Sequence, residues 1–232
     1  MDLLYDGFSK AISLICTLDQ EVLSITWLSL KISGAATLIS LVLGISGGAF
    51  VALVRFPGRG LVISLVNTGM GVPPVVVGLF VSIMLWRTGP LGFFGLLYTP
   101  TAMVVAQTII ATPIVMGISM AAFQSLPEKL RYQLLALGAT RFQMVALMAR
   151  EARLPLYAAV MAGFGGVISE IGASIMVGGN IRGYTRVLTT ATVMETSRGN
   201  FDYAIALGII LLAATFGINA VLTKIQQKEK AG

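Results

Sequence analysis

The chain has 232 residues, 56% hydrophobic and only 11% charged, against roughly 25% charged in an ordinary soluble domain. So few polar side chains cannot wet the surface of a globule this size, whereas a lipid-facing surface needs none. With no histidine and one cysteine, Cys16, disulfide frameworks and Cys/His metal sites are excluded within one chain. The net charge of +6 flanks apolar runs instead of forming a basic patch, so no nucleic-acid partner is expected.

Residues 1–29 are not a cleavable signal, since they lack a basic start and a compact apolar centre and carry Asp2, Asp6, Asp19 and Glu21. Leu4, Phe8, Ile12 and Ile15 share a helical face opposite Asp6, Ser9, Ser13 and Thr17. That pattern suits an amphipathic helix at the membrane surface or, equally, one packed on the other spans. A bilayer core of about 30 Å needs about 20 apolar residues per helix. Such runs occupy 32–54, 61–86, 101–123, 154–177 and 203–223, which makes residues 30–223 an all-α transmembrane domain of five spans. Phe56-Pro57-Gly58-Arg59-Gly60, Arg87-Thr88-Gly89-Pro90 and Ser197-Arg198-Gly199-Asn200 punctuate the joints.

An odd number of spans puts the termini on opposite faces. One side collects Arg55, Arg59, Lys129, Arg131, Arg141, Arg150, Arg153, Lys224, Lys228 and Lys230; the other has Lys10, Lys31, Arg87, Arg182, Arg186 and Arg198. The richer side is expected in the cytoplasm, with the N-terminus outside and the basic tail 224–232 inside. With so short a tail, inhibition by substrate through an appended cytoplasmic domain is not expected.

Within the second span, Pro73-Pro74 lies roughly 18 Å from its start at 1.5 Å per residue. Proline there removes backbone hydrogen bonds. It either kinks the helix so that spans can pack or begins a half-helix at Pro74, whose positive dipole end would point into the membrane.

The expected cytoplasmic loop 124–153 reads as two short helices. Pro127 suits a first turn, Leu130, Leu134, Leu135 and Leu137 follow, Gly138 breaks the pattern, and Thr140 is a plausible N-cap before Phe142, Met144, Val145, Leu147 and Met148. The segment is too charged to enter the membrane and too apolar for a free linker. It docks on a partner or packs on its own bundle.

In the fourth span Glu170 is the one ionisable residue well inside an apolar run, and such charges are costly. It is expected to pair with Arg182 or Arg186, or to accept backbone N–H bonds. Ser169, Ser174, Thr108 and Thr112 offer hydroxyls to a pathway or serve as helix-packing glue, and Gly163, Gly165, Gly166 and Gly172 allow close helix approach. Arg182, Arg186 and Arg198 in the loop 178–200 would attract an anion or meet acidic patches on a partner; a solvated face would look the same.

Three motifs carry a resemblance. A helix–Gly–helix loop with Gly138-Ala139 and, further on, Leu154-Pro155 resembles the EAA loop of ABC importer permeases, with Tyr132-Gln133-Leu134 where that family has Glu-Ala-Ala. The run Ile168-Ser169-Glu170-Ile171-Gly172-Ala173-Ser174, ending in Gly179-Asn180, resembles the Ser-Glu-Phe-Gly-Ala…Gly-Asn signature of sulfate, molybdate and tungstate permeases. Val72-Pro73-Pro74-Val75-Val76-Val77-Gly78 is similar to the Pro-Pro-Val-Val-x-Gly of the same oxyanion permeases. The stretch Gly179–Arg186 with Glu195-Thr196-Ser197 looks closest to the tungstate branch.

The resemblance implies a type I ABC importer permease fold (MetI-like) in a prokaryotic inner membrane. It implies a homodimeric pathway for tungstate, or for molybdate or sulfate as alternatives within the family. Its partners would be a cytosolic ABC ATPase dimer that carries ATP and Mg, an extracytoplasmic binding protein, and lipid. It implies ATPase coupling through Ala136, Leu137, Gly138, Ala139, Thr140 and Phe142, a pathway or gate at Pro73, Pro74, Ser169, Glu170, Gly172 and Ser174, and external contacts at Arg182 and Arg186. The chain has no Gly-x-x-x-x-Gly-Lys-Ser/Thr loop to hold ATP and no nucleophile–base set, so neither a cofactor nor enzyme activity is expected of it. The rivals are an ATP-independent channel or secondary carrier, for which no filter or inverted repeat stands out, and a non-transporting scaffold using the same docking loop.

Overall fold

A computed structural model describes residues 2–17 and 19–231, with side chains described for 5–17 and 19–228. Among these residues all regular structure is helical: α1 (Asp2–Cys16), α2 (Gln20–Leu53), α3 (Arg59–Met70), α4 (Pro74–Leu85), a 3-10 turn at Gly92–Phe94, α5 (Pro100–Gln124), α6 (Glu128–Ala136), α7 (Arg141–Glu151), α8 (Arg153–Ile168), α9 (Gly172–Gly178), α10 (Leu188–Ser197) and α11 (Phe201–Ala231). Three helices, α2, α5 and α11, are long and apolar enough to cross a bilayer. Two bent pairs, α3 with α4 at 103° and α8 with α9 at 56°, complete a maximum of five.

The first span begins earlier than its apolar run suggests. Asp19 accepts the Val22 N–H at 2.9 Å and caps α2 at Gln20, with Glu21 in the positively polarised first turn. No breaker interrupts the helix before Ile32, so residues 20–29 belong to it and not to a separate segment. Helix α1 packs on α11 through a face other than the one read from periodicity. Ala11 is buried, and a Cβ on Gly7 would stand 2.4 Å from Ile205 Cγ2. Phe8, Ile12 and Ile15 stay exposed, and the Leu4 side chain lies outside those described. Small residues win the contact because they let two backbones approach.

The centre is the α2–α5 pair. Ala36, Ser40, Gly44 and Gly48 recur every fourth residue, are all buried, and so form one stripe along α2. A Cβ on Gly44 would lie 2.7 Å from Val115 Cβ, and one on Gly48 would lie 2.8 Å from the Met116 carbonyl oxygen. Ser40 Oγ reaches the Thr108 carbonyl at 3.3 Å. Around this pair, Val81 and Leu85 of α4 and Ala173 and Val177 of α9 join Met103 and Ala106 of α5 in one apolar cluster.

At one end of the bundle, α6 and α7 fold back on the tips of α2 and α5. Met144 and Met148 are buried with Leu53 and Phe123, and Leu130 and Leu134 pack against them. Arg131 donates to the Leu53 carbonyl at 2.7 Å and Arg59 to that of Val51, also at 2.7 Å. Both satisfy carbonyls that the end of α2 leaves without intrahelical partners.

Candidate functional site

Two helix breaks meet inside the bundle. In the run 61–86 α3 stops at Met70 and a new helix starts at Pro74, with Pro73 in its N-cap position. Pro74 brings no N–H to continue a ladder, and Pro73 steers Val72 away from helical geometry. The half-helix alternative therefore holds over a simple kink. In the run 154–177 α8 ends at Ile168 and α9 begins at Gly172.

The contact between the breaks is close. A Cβ on Gly172 would be 2.5 Å from Val75 Cγ2, and one on Gly78 would be 2.7 Å from the Ala173 Cα. Pro73, Pro74, Glu170, Gly172 and Ser174 are thereby gathered where α4 and α9 pack. Ser169, also at the break, is exposed and donates back to the Gly165 carbonyl at 2.8 Å.

Glu170 is 7% exposed. Its Oε1 accepts the Ala173 N–H at 2.8 Å, and Thr189 donates to its carbonyl oxygen at 3.1 Å. The carboxylate thus caps α9 through backbone N–H, one of the two outcomes expected. The other, pairing with Arg182 or Arg186, does not occur, since both arginines face Glu21. Helix α9 carries the chain roughly 10 Å away at 1.5 Å per residue before the arginines appear, while the donors at its own start lie beside Glu170.

One participant was not anticipated. Gln107 of α5, 3% exposed, donates Nε2–H to Ser174 Oγ at 3.2 Å and so ties α9 to α5. Its signal was a single amide within the apolar run 101–123. Gln107 Oε1, Thr108 Oγ1 and Ser82 Oγ are buried and have no hydrogen-bond partner among the described residues. Thr112 bonds back to the Thr108 carbonyl at 2.7 Å, as a helix-packing threonine does.

The loop at the basic end is two helices joined at Gly138, whose φ of +81° favours glycine. Thr140 caps α7 in a reciprocal box with Gln143. Pro127 stands just before α6, in its N-cap position. Leu137 and Phe142, at the tip, are 85% and 83% exposed, although both are large apolar residues. Ala136 and Thr140 are exposed beside them and Ala139 half-buried.

At the opposite end the loop between α9 and α10 is closed on itself. Buried Thr185 accepts the Ile181 N–H at 2.9 Å and donates to the Gly178 carbonyl. Arg182 makes a bidentate pair with Glu21, its Nε at 2.8 Å from Oε1, and Arg186 Nη1 lies 3.8 Å from the same carboxylate. The hydrogen bond it donates to Glu21, and then the charge of that carboxylate, push the Arg182 guanidinium above its ordinary value. Arg198 pairs with the buried Glu195 at 3.1 Å, and Asn200 donates to the second oxygen at 2.7 Å.

Comparison with known proteins fits this architecture. Residues 40–230 match the model of the binding-protein-dependent transport system inner membrane component, and the chain belongs to that family. It is 39% identical to the tungstate uptake system permease protein TupB of Peptoclostridium acidaminophilum, over 98% of this chain and 100% of that one. It is 45% identical to a probable anion ABC transporter permease protein of Haloferax volcanii, over 86% of this chain and 88% of the relative. The molybdenum transport system permease protein ModB of Escherichia coli K12 is 29% identical over 88% of this chain and 94% of its own length. Among solved structures, the inward-facing MetNI methionine ABC transporter aligns with a TM-score of 0.74 at 18% identity, over 92% of this chain and 98% of that one. The fold is therefore that of a MetI-like ABC importer permease. The chain is a membrane transport subunit and not itself an enzyme.

Proposed function

We propose that this chain forms, as a homodimer, the membrane pathway of an ATP-driven importer for tungstate. An extracytoplasmic binding protein delivers the anion, and a cytosolic ABC ATPase dimer, carrying ATP and Mg, drives import. The observation that carries this reading is the full-length 39% identity to a tungstate permease. The 29% relation to a molybdenum permease makes molybdate the competing substrate. The N-terminus lies outside and the Arg-rich end in the cytoplasm, as the loop charges favour.

In this reading α6 and α7 are the coupling element. Leu137 and Phe142 enter a groove on the ATPase, with Ala136, Gly138, Ala139 and Thr140 shaping the joint, and ATP-driven closure of the ATPase pair pulls the loop. Because α6 and α7 are packed on the tips of α2 and α5, that pull reaches the spans and rocks them between inward- and outward-facing states. The gate lies where the breaks meet. Pro74 gives α4 a helix start inside the membrane whose dipole favours an anion. Glu170, like-charged with the substrate, works by capping α9 and leaves the anion to hydroxyl and backbone donors. The apolar face of Leu61, Leu65, Val76, Leu79, Phe80 and Ile83, exposed in one chain, receives the second copy. Arg182 and Arg186, held by Glu21, meet the binding protein.

The deciding experiment is uptake into liposomes holding this chain with its ATPase and binding protein, with ATP on the ATPase side. Tungstate uptake that requires ATP and binding protein, and that tungstate itself competes better than molybdate or sulfate, is the expected result. Stronger competition by molybdate would move the substrate assignment within the family. Flux without ATP through this chain alone would replace the importer with a channel or carrier.

A further inference from the structure

At the Arg-rich end a cavity of about 430 Å³ opens between the tips of α2, α3 and α5 and one side of α6, lined among others by Leu53, Arg55, Arg59, Phe123, Glu128 and Arg131. The size lies within the roughly 300–1,000 Å³ of small-molecule sites. Three guanidiniums face one carboxylate there. That carboxylate, Glu128, is 81% exposed and sits 3.8 Å from an equally open Arg55, so it neutralises little.

The two deeper arginines are fixed. Arg59 and Arg131 each spend one donor on a carbonyl of α2, which orients their guanidiniums, and Arg131 Nε is buried without a partner among the described residues. A buried guanidinium donor left unmatched beside a cavity that two further arginines line calls for an acceptor there. The floor is different in kind: Ala52, Leu53, Phe123 and Met148 are apolar. Beside it Phe50 of α2 and Val54, which ends that helix, are exposed.

Cationic forks above, with an apolar floor continuous with a lipid-facing helix, match a ligand that has a phosphate at one end and hydrocarbon at the other. We propose that this cavity holds the phosphate of an anionic phospholipid from the leaflet it borders. Guanidiniums bind phosphate oxygens in paired hydrogen bonds, and basic pockets between spans recruit anionic headgroups. The proposal rests on the reading of this end as the cytoplasmic membrane surface. The cavity runs along α6 as far as Leu135, while Leu137 and Phe142 stand beyond it at the loop tip, 85% and 83% exposed, so headgroup and ATPase would take adjoining parts of the loop. The bound lipid acts as a strap between α2 and the loop.

The test titrates the purified full chain in detergent with phosphatidylglycerol, phosphatidylcholine or inorganic phosphate and reads bound lipid by native mass spectrometry. We expect phosphatidylglycerol to bind several-fold better than phosphatidylcholine. Each of Arg55→Gln and Arg59→Gln should lower that preference, by about fivefold for the deeper arginine. Glu128→Gln should raise it, and a gain of binding cannot come from misfolding. Equal binding of the two lipids, or a preference unchanged in all three variants, overturns the proposal. Displacement of the lipid by millimolar phosphate, beyond what matched chloride achieves, overturns the lipid and leaves a free-phosphate site. Loss of the preference on adding the ATPase overturns it in favour of a protein contact. Orientation is read separately by labelling Arg55→Cys in a Cys16→Ser background. Labelling from outside the cell would reverse the topology without touching the detergent result.

Discussion

The two large loops of this protein are built from similar material and finished in opposite ways. Between α9 and α10 the chain turns most of its polar groups on itself: Thr185 ties Gly178 to Ile181, and Arg182 and Arg186 converge on Glu21, with Asn180 Oδ1 and Arg186 Nε left buried without a partner among the described residues. Between α5 and α8 the chain is equally well capped, yet it leaves Leu137 and Phe142 more than four-fifths exposed. A loop that spends its polar groups internally while presenting large apolar side chains is unfinished without a partner. A loop whose cations already face a carboxylate has less free charge to offer. The sequence offers both loops to partners, one by positive charge and one by apolar side chains, and the loop between α5 and α8 is the one whose large apolar tip is left most exposed.

The largest effect that would sharpen this contrast is expected from Gly138→Asp. The new side chain must occupy a φ of +81° and brings a charge to an apolar tip. Uptake in the reconstituted system should fall to background while the protein still inserts, and normal ATP-driven uptake would remove Gly138 from the coupling role. Leu137→Asp and Phe142→Asp come next. Each should weaken capture of the ATPase by about 30-fold, the scale of a central contact residue, with the melting temperature of the chain unchanged because neither side chain is buried.

The loop between α9 and α10 should answer in stability instead. Thr185→Val removes a buried hydroxyl that serves two backbone groups and should cost about 1–3 kcal/mol, read as a lower melting temperature with ATPase capture intact. If capture fell as well, the two loops would not be independent. The smallest change is expected from Glu21→Gln. Arg182 is 71% exposed, and exposed pairs contribute about 1 kcal/mol or less, so thermal stability should move little at physiological salt. A large drop would mean that this ion pair is a structural clamp.

Much of the architecture was legible because the bilayer imposes strong rules. Apolar runs long enough to span, and a near-absence of charge within them, leave few options. Thr140 was readable as a cap and Gly138 as a joint because capping and positive φ each demand particular residues. The Ala36, Ser40, Gly44, Gly48 stripe has its four-residue spacing written in the chain, but which helix packs on it is set by the tertiary structure. The face of α1 was not legible. Periodicity picks out the most apolar side, but contact with α11 went to Gly7 and Ala11, where the absence of side chain is what allows approach.

The sequence by itself determined that this protein is a bundle of membrane helices with a proline-marked interruption at Pro73-Pro74 and a loop jointed at Gly138, because hydropathy, proline chemistry and capping are local properties. Only the tertiary structure decided that Pro74 begins a new helix, that the two breaks touch at Gly172 and Val75, and that Glu170 caps α9 instead of pairing with an arginine. It also decided that Gln107 reaches Ser174 and that Glu21, far away in sequence, holds Arg182. Those outcomes depend on which side chains from distant segments arrive within hydrogen-bonding distance. Close packing of the spans sets that, and no local pattern encodes it.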